Sequence, residues 1–178
     1  VAAAAAPIPL TSLSDDVGAL DRALERVSGP IILTAHAYAG AVIAATRNER
    51  VRVLVFVAAL APDEDETSPT YLSRAAAYTG AASAFAQHAS RHSAVRRRAT
   101  PDPRGLHPGK GTKSLRKSVP SWYFLTEQDR MINPKTQELM ASRMKANIRR
   151  LNVDHTPIAT APGDVVALLE QALTATPH

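Results

Sequence analysis

Residues 29–47 read G-P-I-I-L-T-A-H-A-Y-A-G-A-V-I-A-A-T-R, and the fold is decided there. Ile31 to Thr34 is a short apolar run rich in β-branched side chains, which reads as a strand. It runs directly into Ala35, Ala37, Ala39 and Gly40, all small, and then into a helical pattern from about Tyr38 to Arg47. No loop intervenes. A strand that becomes a helix within a residue or two brings two backbones almost into contact, so the corner tolerates only small side chains. It also lifts the residue at its apex, here Ala37, above the end of the sheet.

Upstream of the corner, Ser12 followed by Asp15 resembles a capping box, with the acid placed at the positive end of a helix. Leu13, Val17, Leu20, Leu24 and Val27 recur at spacings of four and three, an amphipathic stripe that Ser28-Gly29-Pro30 brings to an end. Residues 1–10 carry little pattern and are expected to be irregular.

Downstream, Val51 to Leu60 is an almost unbroken apolar run, which suits a strand buried on both faces of a parallel sheet. Pro62 and the acidic knot Asp63-Glu64-Asp65-Glu66 close it. Residues 67–90 are alanine-rich and expected to be helical. Residues 91–118 hold Arg, Lys, Gly and Pro with little apolar content and are expected to form a flexible excursion. Regular structure is expected to return with a strand at Ser121 to Thr126. A helix opening at Pro134, with Leu139, Met140 and Met144 on its apolar face, should follow. Asn147 to Val153 reads as a further strand. A last helix opens near Pro162 and carries Val165, Leu168, Leu169 and Leu173. Strands alternating with helices imply parallel pairing, so the expected fold is a three-layer α/β/α domain with a mostly parallel sheet of about four strands.

Composition narrows the function classes. A length of 178 residues suits one domain, here taken as 1–178 with 67–118 as an excursion from it. No stretch approaches the roughly 18 apolar residues of a membrane span, so no membrane partner is expected. The run Ala2 to Ala6 lacks a charged flank and soon meets Pro7 and Pro9, unlike a signal peptide. With no cysteine, disulfides and thiolate metal sites are excluded, and a cytoplasmic location is the default.

The net charge of +5 is concentrated between Arg91 and Lys117. That run has no aromatic residue between Phe85 and Trp122 on which bases could stack, so it reads as a solvated segment and no nucleic-acid partner is expected. His88 and His92 have the spacing of a metal pair on a helix but no third ligand nearby, so no metal is expected. Gly105 to Lys110, G-L-H-P-G-K, lacks the spacing, the Ser or Thr and the preceding strand of a phosphate loop.

The corner sequence A-H-A-Y-A-G, Ala35 to Gly40, resembles the G-H-S-Y-G-G nucleophile elbow of small esterase-like α/β-hydrolases. Two other stretches resemble the same family in the same chain order. W-Y-F-L-T-E-Q-D-R-M-I-N-P, Trp122 to Pro134, matches its acid loop and puts Asp129 at the acid position. D-H-T-P, Asp154 to Pro157, matches its histidine loop and puts His155 at the base position. The resemblance covers about residues 10–66 and 119–175, the C-terminal part of the family's fold, and makes 67–118 a degenerate cap. It implies Ala37 at the nucleophile position and the Tyr38 amide as an oxyanion donor, with His36 beside the pocket and no cofactor.

Taken singly, His155 fits a hydrogen-bonded loop histidine, Asp129 a cap of the following turn or helix, and His36 a packing residue. Their order after successive strands is what makes Asp129 and His155 a candidate pair. Alanine has neither a lone pair to attack with nor a proton to give, so ordinary serine hydrolysis is not expected. Three functions follow: an ancestral serine hydrolase of small esters or amides now impaired, a serine-independent enzyme using the His155–Asp129 dyad as general base, or a non-catalytic binding module. With nothing to hold up, the corner at Ala37 is expected to have relaxed to ordinary dihedrals. The family's upstream strands and its H-G loop, the source of a second oxyanion donor, have no counterpart before the corner. The edge of the strand near Ile31 is therefore expected to be covered by residues 1–10, by another chain through self-association, or by further polypeptide.

Overall fold

A computed structural model of the protein describes residues 2–63 and 118–175. Glu64 to Glu66 of the acidic knot, the helical expectation for 67–90, the histidines His88 and His92 and the basic run up to Lys117 lie outside the described residues. The elements are α1 (Leu13–Leu24), β1 (Ile31–Ala37), α2 (Ala39–Ala45), β2 (Val51–Ala59), β3 (Ser121–Thr126), α3 (Pro134–Arg143), β4 (Asn147–Leu151), α4 (Pro157–Thr160) and α5 (Pro162–Thr174). The strands form one sheet in the order β1-β2-β3-β4, and every neighbouring pair is parallel. The short turn α4, invisible in the residue pattern, opens at Pro157 and precedes α5.

The two faces of the sheet are read from alternate residues of β2 and β3. Leu54 and Phe56, with Tyr123 and Leu125, face a cluster that includes Leu20 and Leu24 of α1, Ala41 to Ala44 of α2, and Met140 and Ala141 of α3. Val53, Val55 and Val57, with Trp122 and Phe124, face Val165, Leu168 and Ala172 of α5. Helices therefore cover both faces, the three-layer arrangement expected of alternating strands and helices. The continuous apolar character of β2 follows from that double burial.

Helix faces differ in detail from the expected stripes. On α3 the inward residues are Gln137, Met140 and Ala141, with Met144 at the margin, while Leu139 is 60% exposed. Residues 137, 140, 141 and 144 share one side of a helix; residue 139 lies off it by roughly a quarter turn from Met140. On α5 the buried line is Val165, Leu168 and Ala172, and Leu173 lies towards solvent.

Local signals at helix ends hold up. The Ser12 hydroxyl accepts the Asp15 amide at 3.1 Å and donates to the Asp15 carboxylate at 2.6 Å. Asn133, one residue before Pro134, caps α3 by accepting the Lys135 amide at 2.9 Å. No strand among the described residues pairs with the outer edge of β1. Residues 2–10 do not pair there as a strand; instead Ala6 and Ile8 pack against the core cluster that includes Leu20, Ile31 and Leu33.

Candidate active site

The site is built where β1, β3 and β4 end on the same edge of the parallel sheet. Beyond β1 comes the corner. Tyr38 already has helical dihedrals, φ −58° and ψ −36°, so the whole change of direction falls on Ala37. Its φ is +50°, in the left-handed region. The expectation of a relaxed corner is thereby corrected: the strain is present without a nucleophile to justify it.

Its cause is the backbone. Between β1 and β2 the register slips, His36 opposing Val57 and Ala37 opposing Ala59, which leaves Ala58 as the extra residue of a bulge with φ +44°. The Leu60 amide then donates to the Ala37 carbonyl at 2.9 Å, holding the apex down. Gly40 supplies the close approach. A Cβ built there would lie 2.2 Å from the Leu60 carbonyl oxygen and 2.8 Å from the Ala59 Cβ, so only glycine fits.

Beyond β3, Thr126 leads into the loop that carries Asp129. The Asp129 side chain is fully buried, and both of its oxygens are occupied. Oδ1 accepts the Met131 amide at 2.7 Å and the Ile132 amide at 2.8 Å. Oδ2 accepts from the Thr126 hydroxyl at 3.0 Å, from Gln137 Nε2 at 2.8 Å and from His155 Nδ1 at 2.7 Å. Asp129 thus does cap its own turn, and it also meets the histidine. Burial by itself would push its carboxyl up. The bond to His155 and the Ile132 and Met131 amides outweigh that and hold it below the usual aspartate range.

Beyond β4, the amides of Glu127 and Gln128 donate to the carbonyls of Leu151 and Val153, which draws the two loops together. His155 follows, its side chain 16% exposed. With Nδ1–H committed to Asp129, Nε2 is the basic nitrogen, and it has no hydrogen-bond partner among the described residues. Asp154 turns the other way. It accepts the Thr156 amide at 3.0 Å and the Thr156 hydroxyl at 2.9 Å, and these bonds lower its carboxyl below the usual range.

His36 is more than packing. Its Nε2–H donates to the His155 carbonyl at 2.7 Å, and the two rings lie 4.7 Å apart at 44°. That contact docks the corner onto the histidine loop. Tyr38 commits its hydroxyl to Asp16 of α1 at 2.7 Å, and the fully buried Asp16 also accepts the Leu10 amide at 2.7 Å. Burial, then the Asp16 hydrogen bond and charge, push the Tyr38 phenol well above its ordinary value. The hydroxyl is therefore structural; only the Tyr38 backbone amide remains a candidate for ligand binding.

An open groove of about 710 Å³ is lined by Glu127, Gln128, Asp129, Arg130, Met131, Asp154 and His155. It lies on the acid-loop side of the pair, and Ala37 is not among its walls. Among the described residues no cluster of three or more His, Cys, Asp or Glu side chains could hold a metal, and no helix is long and apolar enough to cross a membrane. Sequence reasoning missed Thr126, Gln137 and Asp16. The available signal was a polar residue on an otherwise apolar helix face, Gln137 in line with Met140 and Asp16 in line with Leu20.

Comparison with known proteins agrees with the fold. A sequence model described as the alpha/beta hydrolase family matches residues 4–168. No curated protein gives a match. Similar solved structures include polyneuridine aldehyde esterase, 15% identical over 91% of this chain and 80% of that one, with a TM-score of 0.64. A pyrethroid hydrolase from Sphingobium faniae JZ-2 is 15% identical over 94% of this chain and 79% of its own, with a TM-score of 0.62. A hydrolase from Pseudomonas aeruginosa PA01 is 15% identical over 98% and 76%, with a TM-score of 0.58. At such identities the likeness is one of fold.

Proposed function

The chain belongs to the alpha/beta hydrolase family, and from that premise we propose that Asp129 and His155 are the acid–base half of a serine-hydrolase-type site for a small ester or amide, with alanine at the nucleophile position. One observation carries the reading: His155 Nδ1 lies 2.7 Å from Asp129 Oδ2, on loops that follow successive strands of the sheet. The ionised Asp129 holds His155 in the tautomer that leaves Nε2 basic, as the acid of a catalytic triad does. The amide of Tyr38, next after the apex in the chain, is the counterpart by sequence position of the family's oxyanion donor.

Ala37 stops the sequence of steps at its first. No hydroxyl proton passes to Nε2, no oxygen attacks the carbonyl carbon, and no acyl-enzyme forms. Loss of the serine from such a triad typically costs about a millionfold in turnover, which no adjustment of the remaining pair restores. The unaltered chain is therefore a very poor serine-type hydrolase that keeps the means to bind a ligand and move a proton.

The test is Ala37→Ser, assayed with p-nitrophenyl acetate after melting has shown that the variant is folded. Hydrolysis with an initial burst, abolished by adding His155→Ala, is the expected result. A folded Ala37→Ser that hydrolyses no short-chain ester or amide sinks the proposal. A second reading is favoured by a His155 side chain that is 16% exposed and backed by a fully hydrogen-bonded carboxylate: a general base for a reaction that needs no serine. Activity in the unaltered chain that disappears with His155→Ala would establish it. Ligand-dependent melting without turnover in either chain would instead mark a binding module.

A further inference from the structure

Gln137 is a fully buried polar side chain on the inward face of α3, and the pair chemistry above does not use it. Its amide orientation is unambiguous. Oε1 accepts the Thr126 backbone amide at 3.1 Å, while Nε2 donates to the Ile132 carbonyl at 2.8 Å and to Asp129 Oδ2 at 2.8 Å. The flipped amide would set oxygen against both oxygens and a nitrogen against an N–H. Nε2 also lies 3.1 Å from the Thr126 hydroxyl oxygen, which spends its own proton on Asp129 Oδ2 at 3.0 Å. Thr126, Asp129 and Gln137 therefore form a closed polar ring, and no buried side-chain nitrogen or oxygen among the described residues lacks a partner.

From this geometry we infer that Gln137 is a positioning residue for the Asp129–His155 pair, setting the rotation of the Asp129 carboxylate so that Oδ2 faces His155 Nδ1. The inference rests on the reading of those two residues as a working pair. The physical reason is that rotation about the last side-chain bond of aspartate is broad, so the covalent geometry alone does not fix the plane in which a carboxylate oxygen meets His155 Nδ1. The Met131 and Ile132 amides hold Oδ1 from the loop side. Gln137 holds Oδ2 from α3 and, through Ile132 and Thr126, ties the loop and the end of β3 to the same helix. The carboxylate is thereby gripped from both sides, and towards an ionised carboxylate His155 can only donate.

A merely structural Gln137 would knit β3 to α3 without affecting the histidine, and the two roles separate experimentally. The first readout is the far-downfield NMR signal of the His155 Nδ1 proton in the otherwise unaltered chain, identified by its loss in Asp129→Asn. In Gln137→Met, recorded well below its melting temperature, this signal is expected to move upfield and broaden. In the Ala37→Ser background, Gln137→Met is expected to lower kcat by about tenfold to a hundredfold with KM unchanged, the cost of a misplaced catalytic group. A folded Gln137→Met that keeps both the signal and kcat overturns the inference.

Should Gln137→Met not fold, Gln137→Glu takes its place. Its ionised form opposes Asp129 and its protonated form again offers a donor. The histidine signal should therefore be lost at high pH and regained on acidification; a signal with the pH dependence of the unaltered chain overturns the inference. The NMR arm needs no hydrolysis, so an inert Ala37→Ser would sink the hydrolase reading while leaving Gln137 to be judged separately.

Discussion

Ala37 shows that a strained residue need not be explained by the group it carries. An L-residue in the left-handed region costs about 1–2 kcal/mol, and the chain bears that at Ala37 with no oxygen to present. The conformation is dictated by the bulge at Ala58, the Leu60–Ala37 hydrogen bond and the immediate start of α2. A serine placed at Ala37 would therefore inherit the raised position, which is why Ala37→Ser is a gain-of-function test. Asp129 carries the second prediction at this scale. Its folded-state value lies below that of the unfolded chain, so the unfolded chain binds more protons in acid. The stabilisation is whole above the unfolded value and is lost as pH falls below about 4 and through the lower folded value. Urea unfolding measured from neutral pH downward should show a fall in stability over that interval, and a smaller one in a folded Asp129→Asn.

Among the elements that the site depends on, α2 is short and tightly constrained. Seven residues long, it has no side-chain cap and owes its place to packing against β1 and β2. Gly40 permits that packing, since any Cβ meets backbone that cannot move independently of β2. Gly40→Ala should cost about 1–3 kcal/mol and lower the melting temperature by several degrees. Gly18→Ala is the control. Within α1 its new Cβ would meet only the far end of the Arg22 side chain at 3.4 Å, and removing a mid-helix glycine should leave stability equal or raise it by about 0.5–1 kcal/mol. Equal melting of the two variants would refute the role given to the corner.

Over the whole molecule, the sheet has two edges of different character. β4 is short and charged, with Arg149 paired to Asp164 and Arg150 bonded to Glu138 at 2.6 Å. Such an edge discourages further pairing. β1 presents the apolar Ile32 and a neutral Thr34, and no described strand pairs beyond it. We propose that the chain associates with itself in a concentration-dependent way through β1, and Thr34→Lys is then expected to weaken that association. Sedimentation velocity over a range of concentrations measures both effects, and a monomer at every concentration would refute the expectation.

The sequence by itself determined the order and type of the described strands and helices apart from the short turn α4, the parallel sheet and the corner at Ala37, and it marked Asp129 and His155 as a candidate pair. These rest on local signals: apolar periodicity, small residues at a turn, and polar residues just past strand ends. Only the tertiary structure decided that Ala37 stays strained, that Gln137 and Thr126 grip the carboxylate, that Tyr38 gives its hydroxyl to Asp16, and that His36 docks on the histidine loop. Each of those depends on residues far apart in the chain, as with His36 and His155, 119 positions apart. Hydrophobic pattern records which face of an element is buried. It does not record which polar atom on the opposite element will be there to meet it.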